Sequence, residues 1–393
     1  MADAAILRDA AVAIRGELIA AVGPQERLLE EFPSAEHVDC ANTVITPGFV
    51  DSHTHALFGR ARYEEQELRA AGSSYMEIAQ KGGGIHASVA DLRSREEDDL
   101  YRLTLQRVHA LAAYGTTTIE IKSGYGLSLD DELKSLRVIR RVAESAPVRV
   151  LPTLLAAHEI PLESRLRPNG RAEYVDLVVH SIIPAVAAEN LAVFSDVFCE
   201  PGVFTIQETT AILGASRDAG LGIKLHADEL EPCGGAELAA ELGAISADHL
   251  AAISPVGVRA LAASRTVATL LPGTMFFLGR SKQAPARALI DAGAAVGLAT
   301  DFNPGTSPTV NFPLILTLGV SQLRMSASEV LIAATVNGAA ALGLASKVGQ
   351  LAPGFSADLA IFDIGDFREI PYWYGDRRCR ATWARGKPCH VPA

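Results

Sequence analysis

Short apolar runs alternate with helical-period stretches through the middle of the chain, and the punctuation between them is regular. Leu100, Leu103, Val108 and Leu111 fall on one helical face, with Ser94 and Glu97 at capping-box spacing ahead of them. Gly115 closes that helix, and the β-branched run TTTIEI (116–121) reads as the strand after it. Ser128 predicts a helix running to about Glu144, followed by a strand in VRVLPTLL (148–155). The unit repeats with DVFCE (196–200), a helix opened by Thr205 with Glu208 three residues on, and GIKLHADE (222–229). AISADHL (244–250), TVATLLPG (266–273) and AAVGLATD (294–301) continue the series, and FVDSHTH (49–55) precedes it.

These are eight candidate strands, most of them apolar along their whole length, which is how strands buried on both faces of a parallel sheet read. No GxGxxG turn follows the first strand, as an open dinucleotide-binding sheet would have. Polar residues collect instead at the C-terminal ends of many strands: His53 and His55, Glu120 and Lys122, His158, Glu200, His226 and Glu229, Asp248 and His249, and Asp301. A closed barrel brings all those ends to one mouth. The expected fold is therefore α/β, a (β/α)8 TIM-type barrel over residues 48–349. The two ends read as short strands and tight turns, so residues 1–47 and 350–393 are expected to join in a small β-sandwich domain.

Composition narrows the class of function. There are 35 Lys and Arg against 46 Asp and Glu, a formal net charge of −11, which argues against a general binder of nucleic acid or anionic membrane. No window is apolar enough for a membrane span, and Asp3, Arg8 and Asp9 interrupt the N-terminus where a signal peptide needs an apolar core. The five cysteines form no CxxC pair, so neither a disulfide framework nor a thiolate zinc site is expected, and reduced cytoplasm is the expected location. Cys199 and Cys233 read as small apolar fillers near strand ends.

The chemistry is concentrated in Asp51-Ser52-His53-Thr54-His55. On a strand, alternate residues face the same side, so His53 and His55 share one space. His226 and Asp301 end two further strands, and three imidazoles with one carboxylate suit zinc or iron with room left for water. Taken singly, each reads as a satisfied polar residue at a strand end; jointly they read as ligands. His249 follows on the next strand, placed to orient water or polarise a carbonyl, while Asp301 combines ligation with proton transfer.

PGFVDSHTH followed by His226, His249 and Asp301 resembles the amidohydrolase superfamily. HTHALFGRAR (53–62), KGGGI (81–85), EIKSGYGL (120–127), LPTLLAAHEIP (151–161), SADHL (246–250) and ATDFNPGTSP (300–308) resemble, within it, the imidazolonepropionase family. The resemblance implies hydrolysis of the cyclic amide C–N bond of 4-imidazolone-5-propanoate to N-formimidoyl-L-glutamate, in histidine degradation. It implies one divalent or ferric ion per subunit, zinc or iron, held by His53, His55, His226 and Asp301. Arg62, Tyr125, His158 and Glu229 match substrate-holding residues, and Asn303, Gly305 and Thr306 match a substrate loop. His249, Asp301 and Glu229 carry the implied catalytic roles, and Tyr75 with KGGGI matches a segment near the pocket. A homodimer is implied, with no nucleic-acid or membrane partner.

The substrate's propionate suits Arg62, whose planar fork grips carboxylates bidentately, and an acidic chain then needs a locally positive pocket with the metal and Arg62 as sources. Binuclear relatives place a Lys on the fourth strand; DVFCE has none, which favours one metal. Two other readings stay open: an aminohydrolase that deaminates a heterocycle and releases ammonia, and a catalytically silent scaffold.

Overall fold

A computed structural model describes residues 4–73, 77 and 83–390; Tyr75 and the first two residues of KGGGI lie outside the described residues. The chain begins with an antiparallel hairpin, β1 (Ala10–Arg15) and β2 (Leu18–Pro24), and a short strand β3 (Val44–Pro47). Eight parallel strands follow: β4 (Phe49–Asp51), β5 (Thr116–Lys122), β6 (Arg149–Ala157), β7 (Phe194–Cys199), β8 (Gly222–Ala227), β9 (Ser246–His249), β10 (Val267–Leu270) and β11 (Val296–Leu298). Each is hydrogen-bonded to its neighbour in sequence, with helices between them. The strands β5, β7, β9, β10 and β11 are buried at every position, matching the continuous apolar runs.

The ring closes just beyond the ends of β4 and β11. Thr54 and Phe302 form a parallel bridge, His55 N donates to the Phe302 carbonyl at 2.9 Å, and Asp301 N donates to the His53 carbonyl at 3.0 Å. Closure therefore sets His53, His55 and Asp301 side by side at the C-terminal mouth, although some 250 residues separate them along the chain.

Local signals explain most element starts. Ser128 accepts from Asp131 N and opens the helix Leu129–Ser145, and Thr205 with Glu208 forms a full capping box before Ile206–Asp218. The expected box at Ser94 and Glu97 is absent. Ser94 instead closes the preceding helix, Ile85–Arg93, and its hydroxyl donates to the Asp91 carbonyl at 2.8 Å. Arg95 explains the difference: it pairs with Asp91 at 2.8 Å and Asp99 at 2.5 Å, stitching the two helices through their junction.

The chain ends in β12 (Leu359–Phe362), β13 (Cys379–Ala384) and β14 (Lys387–His390), which with β3 form an antiparallel sheet in the order β14-β13-β12-β3. The N-terminal hairpin joins it through Ile19 N to the Phe355 carbonyl and Ala357 N to the Glu17 carbonyl, at 2.9 and 2.8 Å. Both chain ends thus contribute to one antiparallel assembly against the N-terminal end of the barrel. There Phe49 and Phe362 meet with ring centroids 5.8 Å apart, and Thr382 donates to the Ala112 carbonyl at 2.7 Å. Gly115 sits at φ +97°, and a Cβ there would come within 3.1 Å of Ala360, so both backbone and packing call for glycine. Among the described residues, no helix is long and apolar enough to cross a membrane.

Candidate active site

His53 and His55 leave the barrel just after β4, His226 lies within β8, His249 ends β9, and Asp301 follows β11. All five are at least nine-tenths buried. Their tautomers follow from partners that can only accept. His53 Nδ1 lies 2.6 Å from Asp248 Oδ2 and His226 Nδ1 lies 3.1 Å from Asp196 Oδ1, so each Nδ1 donates to its carboxylate and each ring turns its Nε2 the other way. Those Nε2 atoms face a common space. His53 Nε2 and His55 Nε2 stand 3.7 and 3.5 Å from Asp301 Oδ1, and His55 Nε2 faces His226 Nε2 at 3.4 Å. Burial, reinforced by neighbouring cations and imidazoles, holds His53 and His55 well below the ordinary histidine range, and so neutral.

His53 Nε2 is buried with no hydrogen-bond partner, among the ligand-type atoms of His55, His226 and Asp301. A cation would satisfy it, so the donor set fits a metal ion. The ligand-like groups found among the described residues all include His53, which makes this one candidate metal site.

The remaining expected residues surround it. His249 packs edge-on to His53 with ring centroids 5.4 Å apart, and its Nδ1 lies 3.6 Å from Glu229 Oε2. Burial lowers His249, while burial with the charges of Asp301 and Glu200 raises Glu229 well above the carboxylate range. His158 lies 2.9 Å from the Gly124 carbonyl through Nδ1, so its Nε2 is an acceptor; burial pushes its pKa down to about 3. Tyr125 and His55 flank His158 at centroid distances of 5.4 and 5.0 Å. Arg62 is buried, with Nε 3.1 Å from Glu65 and Nη1 donating to Ser88 at 2.8 Å. Asn303 is committed to its own loop: it accepts from Gly305 N and Thr306 N at 2.9 and 2.7 Å and donates to the Asp301 carbonyl at 2.7 Å. Gly305 lies directly against the Arg62 guanidinium.

Two sets of comparisons place the chain. The amidohydrolase family description matches residues 72–390, and that of a bacterial imidazolonepropionase-like composite domain matches residues 10–35. Imidazolonepropionase of Geobacillus kaustophilus is 45% identical over 98% of this chain and 91% of its own length. That of Symbiobacterium thermophilum is 47% identical over 95% of this chain and 88% of its own. The chain belongs to the imidazolonepropionase family of amidohydrolases.

Among solved structures, an adenosine deaminase from Xanthomonas campestris with bound zinc superposes with a TM-score of 0.75 at 18% identity, covering 99% of this chain and 90% of that one. Guanine deaminase of E. coli gives 0.76 at 17%, covering 98% and 93%. At these identities the likeness concerns the fold alone.

This member of the family uses several carboxylates that the sequence reading left without a role. Asp196 and Asp248 accept from the two imidazoles described above. Below them Lys122 bridges Glu120 and Asp196 at 2.7 Å each, and Lys224 donates to the Ser52 carbonyl at 2.7 Å, all fully buried. At the mouth, Glu132 accepts from the backbone N–H groups of Gly124, Gly126 and Leu127 at 3.2, 2.8 and 2.9 Å, fixing the turn that presents Tyr125. Glu200 does the same for Glu229, Leu230 and Glu231 at 3.1, 3.3 and 2.8 Å. Leu127, Asp228, His249 and Asp301 adopt left-handed φ values of +51°, +49°, +77° and +50°, so strained non-glycine backbone gathers around the mouth. One available signal was a charged residue inside an otherwise apolar strand, as at Asp196 and Lys224.

Proposed function

We propose that the chain opens the cyclic amide C–N bond of 4-imidazolone-5-propanoate to give N-formimidoyl-L-glutamate, the third step of L-histidine degradation. The observation that carries this reading is the convergence of buried ligand-type atoms from His53, His55, His226 and Asp301 beside the His249–Glu229 pair, in a chain 45% identical to an imidazolonepropionase. Those four residues would hold one zinc or iron ion per subunit. When bound, such an ion polarises the substrate carbonyl and brings the pKa of water near neutrality.

The protein groups do the rest. Neither Glu65 nor Ser88 engages Arg62 Nη2, which is left to grip the propionate. His158 Nε2 accepts from a ring N–H, and Tyr125 walls the same side. Thr306 and the backbone around Gly305 shape the pocket wall, with Asn303 bracing it. Neutral His249 polarises the carbonyl oxygen. The Asp301 carboxylate takes the proton from attacking water, and Glu229, which burial disposes to hold a proton, delivers one to the departing ring nitrogen. The enzyme is proposed to work as a cytoplasmic homodimer, which light scattering on the purified protein checks directly.

The test is to incubate purified, metal-analysed protein with freshly prepared imidazolonepropionate and follow loss of its ultraviolet absorbance, with ammonia measured in parallel. Loss without ammonia supports the reading. Unchanged absorbance, or ammonia release, sinks it.

A further inference from the structure

Cys199 and Cys233 stand 34 residues apart, and the fold brings them together. Cys199 ends β7, and Cys233 lies on the loop that leaves β8 and carries Glu229. Cys233 Sγ donates to the Cys199 carbonyl at 3.4 Å, which sets its thiol beside residue 199. Both line a cavity of about 280 Å³ together with Glu200, Pro201, Phe204 and Gln207, which gives a small reagent a way in. Two of the other three cysteines are placed differently. Cys379 and Cys389 turn their sulfurs onto Thr382, and burial pushes their thiols up to about 11 and about 12, so both stay protonated. At Cys199 the neighbouring Cys233 side chain works in the opposite direction and holds the thiol below its ordinary range.

We propose that Cys199 and Cys233 form an oxidisable dithiol, closed to a disulfide by a hydroperoxide, whose closure displaces the loop carrying Glu229. The chemistry balances in two steps. The Cys199 thiolate attacks one peroxide oxygen: an S–O bond forms, the O–O bond breaks, and the departing hydroxide is protonated to water. The Cys233 thiol then attacks that sulfur, forming the S–S bond and expelling the second water. The two sulfurs lose two electrons and the peroxide gains them.

The consequence follows from what holds the loop. Closing a disulfide draws the two sulfurs together to about 2.05 Å and takes Cys233 Sγ off the Cys199 carbonyl. Cys233 N donates to Asp228 Oδ1 at 2.8 Å, and the same carboxylate accepts from Gly234 N at 3.1 Å and, through Oδ2, from Ala236 N at 2.9 Å. Asp228 immediately precedes Glu229, so movement of Cys233 is transmitted to Glu229 through this rigid cap. That transmission to turnover rests on the proposed role of Glu229; the disulfide itself does not.

The test treats the metal-loaded enzyme with hydrogen peroxide, then maps peptides and measures turnover, using wild type and Cys233→Ser. Wild type is expected to yield a linked 199–233 peptide, with Cys379 and Cys389 still alkylatable. Its kcat/KM should fall about tenfold or more, the scale of a misplaced catalytic group, and recover on reduction with dithiothreitol. Cys233→Ser should keep its turnover under the same treatment. Absence of the linked peptide in an enzyme that turns over normally before treatment overturns the proposal. So does equal, irreversible loss in both proteins, which marks damage at the metal centre. An untreated enzyme without turnover, but with the linked peptide formed, refutes the proposed function and leaves the dithiol standing.

Discussion

Gly305→Ala tests the carboxylate clamp without touching the arginine. A Cβ at position 305 would lie 1.8 Å from Arg62 Nη2, 2.3 Å from Cζ and 2.6 Å from Nε. Ordinary contact needs about 3.5 Å, so the guanidinium must retreat by roughly 1.5 Å. It is the tip of a flexible side chain, but it is not free to swing, because Glu65 holds Nε at 3.1 Å and Ser88 holds Nη1 at 2.8 Å. Moving it disturbs both contacts and takes Nη2 away from the propionate. A hydrogen bond to a charged group contributes about 1.5–3 kcal/mol, so losing the one from Nη2 costs roughly 10- to 150-fold in kcat/KM. The propionate is remote from the scissile bond, so most of the loss should fall on KM. Gly305 has no left-handed φ that would forbid alanine, so the melting temperature should change by only a few degrees.

The assay is the steady-state loss of imidazolonepropionate absorbance for wild type, Gly305→Ala, Arg62→Ala and the double variant. If the alanine acts by displacing Arg62, it adds little once Arg62 is gone, and the two penalties do not sum. A wild-type KM in Gly305→Ala refutes the reasoning. So does a penalty that persists in full in the Arg62→Ala background, because the loop would then be acting by another route.

Asp248→Asn should weaken metal affinity about 10- to 100-fold, because a poorer acceptor then holds His53 Nδ1–H; competitive metal titration at wild-type strength contradicts this. Glu132→Gln should raise KM and lower the melting temperature, since an amide offers one acceptor oxygen and an intruding donor to three N–H groups; unchanged KM would separate the turn from substrate binding. Burial pushes Asp51 up to about 7, so between its ordinary value and that pH the native chain keeps a proton the unfolded chain has released, and stability falls as pH rises across that window. In the metal-free protein, Asp51→Asn should flatten this slope in denaturant melts from about pH 5 to about pH 8, and an unaltered slope counts against it. Chelation should abolish turnover and also weaken binding of a propionate-bearing imidazole, measured by calorimetry; full-strength binding to the stripped protein would show that the cation has no part in holding the anion.

The barrel was legible because its strands are buried on both faces, so apolar runs with polar ends mark them without knowledge of partners. Strand ends were less so. FVDSHTH reads as one strand, but pairing stops at Asp51, where His53 and His55 begin to line the mouth, whereas His226 remains within β8 and Glu229 lies beyond it. Ser94 misled for a local reason, since nothing in its own spacing reports that Arg95 ties Asp91 to Asp99. The ligand-type residues stood out through their chemistry and their strand-end positions. Their supports did not, because Asp248 acts on a histidine 195 residues away and Asp196 on one 30 residues away. A charge inside an apolar strand marks Asp196 as unusual, but nothing in the sequence says which histidine it holds.

The same supports change how the acidic composition bears on function. A pocket for an anion was expected to be positive, with Arg62 and the ion as sources. Arg62 is paired with Glu65, Lys122 with Glu120 and Asp196, and Lys224 lies 3.4 Å from Glu120 and 3.8 Å from Asp248. Each buried cation is therefore already matched, and Asp301 and Glu229 remain as further acids at the mouth. These matched cations give the mouth no surplus positive charge, and burial, together with the charges of Asp301 and Glu200, raises Glu229. A divalent ion held by the proposed ligands His53, His55, His226 and Asp301 would supply positive charge where the substrate sits, so binding of the propionate is expected to depend on the ion.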